Sequence, residues 1–334
     1  MKEGHDVQQA YIPDEYPMKD IPSTKWWSEN FFVGLACFET KTSLFYSIGR
    51  WHSDPMLWRE NILATFPDGT VAFHRGYGRT STDRSVSGGL SHYEVTEPGQ
   101  QAILRFDGPM VKSTAVDLIE NGPQITASER CVFDFRLEGI APVWNMKGNS
   151  LQAQTMAGSM HIDQICKFAG TISYGEQSFT ISDGYAIRDH SRGVRDVSKY
   201  AGHNWLNGIF PSGRGFYVYM MRAEDGSLGM SNAAVFQDER IYPATVRETQ
   251  FATKENGWMK GHRLVVDSEL GEMVVDFDPS FATVPTAMVH PYDTCAGRAK
   301  SLDISLMFDE GSVIHWNGEV GKAWAERGFS GARG

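Results

Sequence analysis

Gln177-Ser-Phe-Thr-Ile-Ser182 alternates polar and apolar residues and runs into Asp183-Gly-Tyr-Ala-Ile-Arg-Asp-His-Ser-Arg-Gly-Val-Arg-Asp196. The first run has the period of two that marks a β-strand. The second holds three Asp, three Arg and one His in fourteen residues. Its charges are short Asp and planar-headed Arg set among Gly184, Tyr185 and Gly193, unlike the Lys- and Glu-rich sequence of a solvated face. Arg makes fixed two-point contacts with carboxylates, so the stretch reads as a strand leading into an ordered charge cluster. Two roles fit it. In an active site, Asp189 or His190 would move a proton while Arg188 and Arg195 set its pKa and orientation. In a structural role, the cluster would be an ion-pair knot between two sheets, since such networks also perturb pKa values.

The same period recurs along the chain. Glu29–Phe38, Thr42–Gly49, Leu57–Phe66 and Val71–Gly76 read as strands, the last two joined at Pro67-Asp-Gly69, a hairpin turn. Leu90–Val95, Ala102–Phe106, Ser113–Ile119 and Arg130–Glu138 follow, and Leu151–Met160 is the best helix or loop candidate. Lys167–Tyr174 continues the pattern. His203–Phe210 and Phe216–Arg222 then form a hairpin about Pro211-Ser-Gly-Arg-Gly215, and further short strands run to Val320. Many strands, Gly- and Pro-rich turns and few helical periods predict an all-β chain of antiparallel sandwich or barrel halves with few short helices. At 334 residues two domains are expected, at 1–165 and 166–334, behind an irregular arm over the first thirty residues.

Composition narrows the function. A net charge of −10 argues against nucleic acid and anionic lipid as partners, because both need a basic face. Cys37, Cys131, Cys166 and Cys295 are unpaired in spacing and sit among apolar or small neighbours, which predicts buried free thiols in a reducing compartment. The polar start Met1-Lys-Glu-Gly-His-Asp6 and the lack of a long apolar run predict a cytoplasmic protein with no membrane span. No phosphate loop, dinucleotide fingerprint, zincin motif or nucleophile elbow occurs.

Other residues join the candidate site. His161 and Asp163 share one face of a strand. With His190 they make an incomplete ligand set, so a metal centre is the weakest reading and no metal is expected. Trp205, with His203 two residues earlier, and the pair Trp26 and Trp27 supply aromatic walls or ordinary core packing. Glu29 is a second acid or, more simply, a surface carboxylate.

His161-Ile-Asp-Gln164, Gly170-Thr-Ile172 and Asp183–Asp196, with Trp27-Ser-Glu-Asn30 and Gly49-Arg-Trp51, resemble a two-domain lipocalin-like bacterial family related to the carotenoid 1,2-hydratase (hydroxyneurosporene synthase) superfamily. Arg192 stands where that family usually has tryptophan. The resemblance implies two lipocalin-like halves packed together around a hydrophobic pocket. It also implies chemistry without a redox cofactor: hydration, cyclisation or isomerisation of unsaturated skeletons.

The expected function is a cofactor-independent lyase or isomerase for a hydrophobic unsaturated small molecule such as a terpenoid, steroid or lignin-derived aromatic. The expected catalytic residues are Asp189, His190, Arg188 and Asp163. Tyr185, Trp205, His161, Trp27, Glu29 and His203 would contact substrate, and Asp183, Arg195 and Asp196 would form structural ion pairs. The alternative is a non-catalytic carrier of a hydrophobic ligand. A homodimer is compatible with either.

Overall fold

The computed structural model describes residues 15–25, 27–51, 54–121, 124, 126–146, 160–194, 200–223, 226–253, 255–288 and 305–330. The first part comprises β1 (Trp27–Cys37), β2 (Thr42–Trp51), β3 (Asp54–Thr65), β4 (Thr70–Gly78), β5 (Thr80–Ser81), β6 (Ser85–Ser87), β7 (Ser91–Glu97) and β8 (Gln101–Thr114). A helix, α1 (Ala115–Asn121), precedes β9 (Ser128–Gly139), β10 (Trp144–Asn145), β11 (Met160–Tyr174) and β12 (Gln177–Val194). Neighbours pair antiparallel around a ring of β1, β2, β3, β4, β8, β9, β11 and β12, which closes where β12 meets β1. The remaining short strands extend the sheet beyond the ring: β7 pairs with the first half of β8, and β10 with the start of β11.

The second part is β13 (Tyr200–Ile209), β14 (Arg214–Ala223), β15 (Leu228–Gln237), β16 (Arg240–Glu248), β17 (His262–Ser268), β18 (Gly271–Met288), β19 (Ser305–Trp316) and β20 (Glu319–Ser330). Each pairs with the next, and β20 returns to β13, so this sheet is also a closed barrel. Closure removes the exposed sheet edges that invite aggregation. Both hairpin turns read from the sequence form: Gly69 N–H donates to Phe66 O and Gly213 N–H to Phe210 O, with φ of 86° and 80° at the two glycines. Only glycine adopts such angles without steric cost.

The all-β architecture of two packed halves is as expected, but three details differ. The division expected at 165/166 falls inside β11. β11 and β12 are one hairpin of the first barrel, and the chain changes barrels between Val194 and Tyr200. The charged stretch from Asp183 does not follow a strand; it is the strand, because β12 runs unbroken from Gln177 to Val194. Ser113–Ile119 is no strand, since β8 ends at Thr114 and α1 begins. Thr114 Oγ1 accepts from Asp117 N–H at 3.2 Å, an N-cap that starts the helix. Cys37, Cys131 and Cys166 are buried free thiols, as expected. Cys295, Trp26, Arg195, Asp196 and residues 151–159 lie outside the described residues.

Each barrel fills its own lumen. The first packs Phe31, Val33, Leu35, Tyr46 and Trp58 against the stacked rings of Phe106, Phe133 and Phe135. The second packs Leu206, Phe216, Val218, Leu264, Phe277 and Ile314. A third apolar cluster lies between the barrels. Phe32, Phe45, Trp144, Ile165 and Ile187 of the first meet Trp205, Tyr217, Met221, Phe236, Met307 and Trp324 of the second.

Candidate active site

Strand alternation sorts the charged stretch. Along β12, Arg188 and His190 pair with Val33 and Phe31 of β1, and so turn into the lumen; Tyr185, Ile187 and Asp189 turn to the opposite face, between the barrels. Both faces are covered, so every residue from Tyr185 to Ser191 is buried and polarity no longer marks an outside. His190 and Asp189, both expected in one catalytic group, therefore face opposite ways.

In the lumen, the arm over residues 15–18 completes the ion pairs. Glu15 binds Arg188 at 3.0 Å, and Arg188 Nε donates to Gln164 Oε1 at 3.0 Å. Glu29 accepts from Arg50 Nε at 2.8 Å and from Met18 N–H at 2.9 Å, and lies 2.9 Å from His190 Nε2. Burial pushes the Glu29 carboxyl up, but His190, Arg50 and Met18 N–H together bring it below the usual range. Glu29 is fully buried, which overturns the surface position. Trp27 lies under the Arg50 guanidinium at 5.6 Å, and His190 stacks on Phe31 at 4.0 Å. The cavity lined by Glu15, Phe31, Tyr93, Arg188 and His190, and also by Asp163 and Asp189, measures about 10 Å³. That is space for about one water molecule and none for a substrate. Arg192 lines a separate open surface groove with Met18, Asp83 and Arg84.

The seam between the barrels holds a different group. Asp163 and Asp189 stand directly opposite each other across β11 and β12. Two buried carboxylates so placed repel unless a cation or proton is shared between them. His161 supplies it: Nε2 is 3.3 Å from Asp163 Oδ1 and ion-paired more closely with Asp189. Burial pulls the His161 pKa down, yet Asp189 and Asp163 overcome this and raise it to about 9. Burial raises the Asp163 carboxyl, opposed by His161 and assisted by Asp189. The two carboxylates thus favour the protonated imidazole. His161, Asp163 and Asp189 can also each point one ligand atom at a common centre, all within 4.8 Å, so a cation could be held here. His190 takes no part in that set.

The second barrel forms the other wall. Trp205 Nε1 donates to Asp163 Oδ2 at 3.1 Å, and Tyr185 Oη donates to Asn207 Oδ1 at 2.6 Å. His203 Nε2 lies 2.6 Å from Glu326 Oε1. Across the β19–β20 ladder Glu326 faces Asp309. Burial and Glu326 hold the Asp309 carboxyl well above its usual range. The ring of Tyr219 joins the two groups, 5.2 Å from the imidazole of His161 and 6.2 Å from that of His203. Tyr219 is half-buried, whereas Asp163 and Asp309 are fully buried. Asp183 is exposed and pairs with Lys322 at 3.2 Å.

The structure therefore unites His161, Asp163, Asp189, Tyr185, Trp205 and His203 at the seam. It separates from them Arg188, His190, Glu29 and Trp27, which sit in the lumen. Tyr219, Asp309 and Glu326 escaped the sequence reading. Glu326 and Asp309 lie in ordinary strand sequence, Asp309-Glu-Gly-Ser312 and Ala325-Glu-Arg-Gly328, and only barrel closure brings them to His203.

Solved structures share this two-barrel fold. A protein from Nitrosomonas europaea described as an AttH aligns with a TM-score of 0.60 at 14% identity, over 92% of this chain and 93% of that one. CghA, solved with Sch210972, aligns at 0.57 and 11% identity over 91% and 88%. Kievitone hydratase from Nectria haematococca aligns at 0.50 and 9% identity over 97% and 94%. The lipocalin-like, two-barrel architecture implied by the resemblance to the carotenoid 1,2-hydratase superfamily is the one these proteins have. No curated protein matches the sequence. One family model matches residues 13–327, nearly the whole chain, and the chain belongs to that family, described as a domain of unknown function, DUF7064.

Proposed function

We propose that the protein is a cofactor-independent lyase or isomerase that moves protons on a hydrophobic unsaturated small molecule, by hydration, dehydration or a related rearrangement. One observation carries the reading: a buried imidazole held between two carboxylates, at the aromatic seam of the two barrels. Adding water to an alkene, or expelling a hydroxyl, needs an acid kept charged away from bulk water. His161 is that acid. Asp163 and Asp189 hold its proton at neutral pH and stabilise it between turnovers. Trp205 fixes Asp163, and Tyr219 and Trp205 offer ring faces to positive charge developing on carbon. That one neighbour in fold bears the name of a hydratase is consistent with this chemistry.

Arg188 and His190 take no direct part; they brace the lumen. The purified protein, screened against unsaturated terpenoids, steroids and aryl-propenoids for gain or loss of water, tests the reading. Asp189→Asn, which keeps side-chain shape, is expected to retain fold and ligand affinity while turnover falls about 10²–10⁴-fold. Full turnover in a folded Asp189→Asn protein rejects the acid–base role, and ligand binding without any turnover in the parent protein favours a carrier.

A further inference from the structure

Beside Trp205 and Tyr219, the second-barrel wall of the seam carries a second titratable group that the proposed acid does not use. On β13, β14, β19 and β20 the residues facing the first barrel include His203, Trp205, Tyr219, Glu326 and Asp309. His203 and Glu326 form a short pair, 2.6 Å apart, and both keep slight exposure, 6% and 8%, whereas Asp309 behind them has none. Neither Asp309 oxygen makes a well-formed hydrogen bond among the described residues. Burial and Glu326 hold this carboxyl well above its usual range.

We propose that the second barrel supplies a second proton-transfer group: His203, oriented by Glu326, faces the His161 group across Tyr219 and removes a proton from the carbon next to the one bearing the departing hydroxyl. This rests on the lyase reading and deepens it. The step balances within the site. The C–H bond breaks and its proton passes to His203 Nδ1, the ring nitrogen that Glu326 does not hold; the electron pair becomes the C=C bond. The C–O bond breaks, the oxygen takes the proton of His161, and water leaves. Solvent protons then reset both imidazoles. Hydration is the same path reversed.

The pairing also limits the substrate. An imidazole cannot take a proton from an unactivated alkane carbon, because catalytic efficiency needs acid and base of comparable strength. The carbon facing His203 must be acidified by a neighbouring carbonyl. The class is therefore a hydrophobic β-hydroxy carbonyl compound and its enone, with an apolar body lying against Trp205, Tyr219 and Met307. Glu326 is a positioning residue, acting through His203.

An aryl β-hydroxy ketone and its enone serve as probes for the full-length protein. Enone formation is followed by absorbance, and exchange of the α-hydrogen in D₂O by NMR. His203→Asn is expected to lower α-exchange about 10²–10⁴-fold, while His161→Asn retains exchange and loses water elimination. Glu326→Gln, which keeps the side-chain shape should His203→Asn fail to fold, is expected to lower kcat for exchange and leave KM unchanged, because the imidazole loses the carboxylate that orients it. Folded His203→Asn and Glu326→Gln proteins with exchange and elimination at parent levels overturn the proposal. A parent protein that hydrates simple alkenes but ignores both probes also overturns it and leaves the lyase reading standing. A parent inactive on alkenes and probes alike removes the lyase reading itself.

Discussion

Two buried carboxylates opposite one another give His161 an effect on stability as well as its proposed role as an acid. Its folded pKa of about 9 lies above the unfolded value of about 6.5. The stabilisation is fully present below pH 6.5 and is lost as pH rises through about 9. Denaturation midpoints are expected to fall across that window, by at most about 1.4 kcal/mol per pH unit from this group, and His161→Gln is expected to flatten the slope. His262 behaves in mirror image. Burial and Arg327 depress it to about 3, and its ring stacks on Phe277 at 4.3 Å. It folds neutral, so stability is lost as pH falls from about 6.5 towards 3. His262→Phe is expected to lift the acid limb of the stability curve. In the lumen, Arg188→Met leaves Glu15 buried without its ion pair and is expected to cost about 3–5 kcal/mol in unfolding free energy. Turnover of the folded fraction should stay at parent level, which separates the lumen pairs from the seam group. His161 with Asp163 was legible in the sequence, because two residues apart on a strand share a face. The placing of Asp189 and His190 in one catalytic group was not, because adjacent residues on a strand face opposite ways.

At the scale of the element, the decisive feature is a strand buried on both faces. β12 has a clean period of two only over Gln177–Ser182, where one face is wet. Beyond Gly184 the lumen lies on one side and the second barrel on the other, so charged groups occur on both. The sequence signal for a strand fades where the strand matters most, and it reads as a cluster after a strand. The same limit applies to Ser113–Ile119, where an apparent alternation hid the cap at Thr114. Thr114→Ala removes the oxygen that accepts Asp117 N–H and is expected to cost about 1 kcal/mol. Gly170 marks a register shift between β11 and β12, with φ of 150°. A Cβ there would sit 2.0 Å from Asp134 O, a backbone atom that cannot move aside. Gly170→Ala is expected to destabilise the first barrel measurably in chemical denaturation, more than the Thr114 change.

At the scale of the whole molecule, the two barrels function as one unit because their apolar faces fuse into a shared core. Trp324 is fully buried there, and Gly34 on β1 gives it room: a Cβ on Gly34 would come within 2.7 Å of the indole. Gly34→Ala is expected to push the barrels apart, costing about 1–3 kcal/mol. Tryptophan-monitored unfolding should broaden or split, and turnover should fall although no seam acid or base is altered. No helix among the described residues is long and apolar enough to cross a membrane.

The amino-acid sequence by itself determined the all-β class, the two halves, the hairpins at Gly69 and Gly213 and the pairing of His161 with Asp163. Each follows from local chemistry: side-chain period, glycine backbone angles and the geometry of a strand. Tertiary structure alone decided where the barrels divide, that Arg188 and His190 turn inward while Asp189 turns to the seam, and that Glu326 and Asp309 come to His203. Those outcomes depend on which strands close the rings and which faces the rings press together. That is fixed by pairing between residues far apart in the chain, which no local pattern encodes.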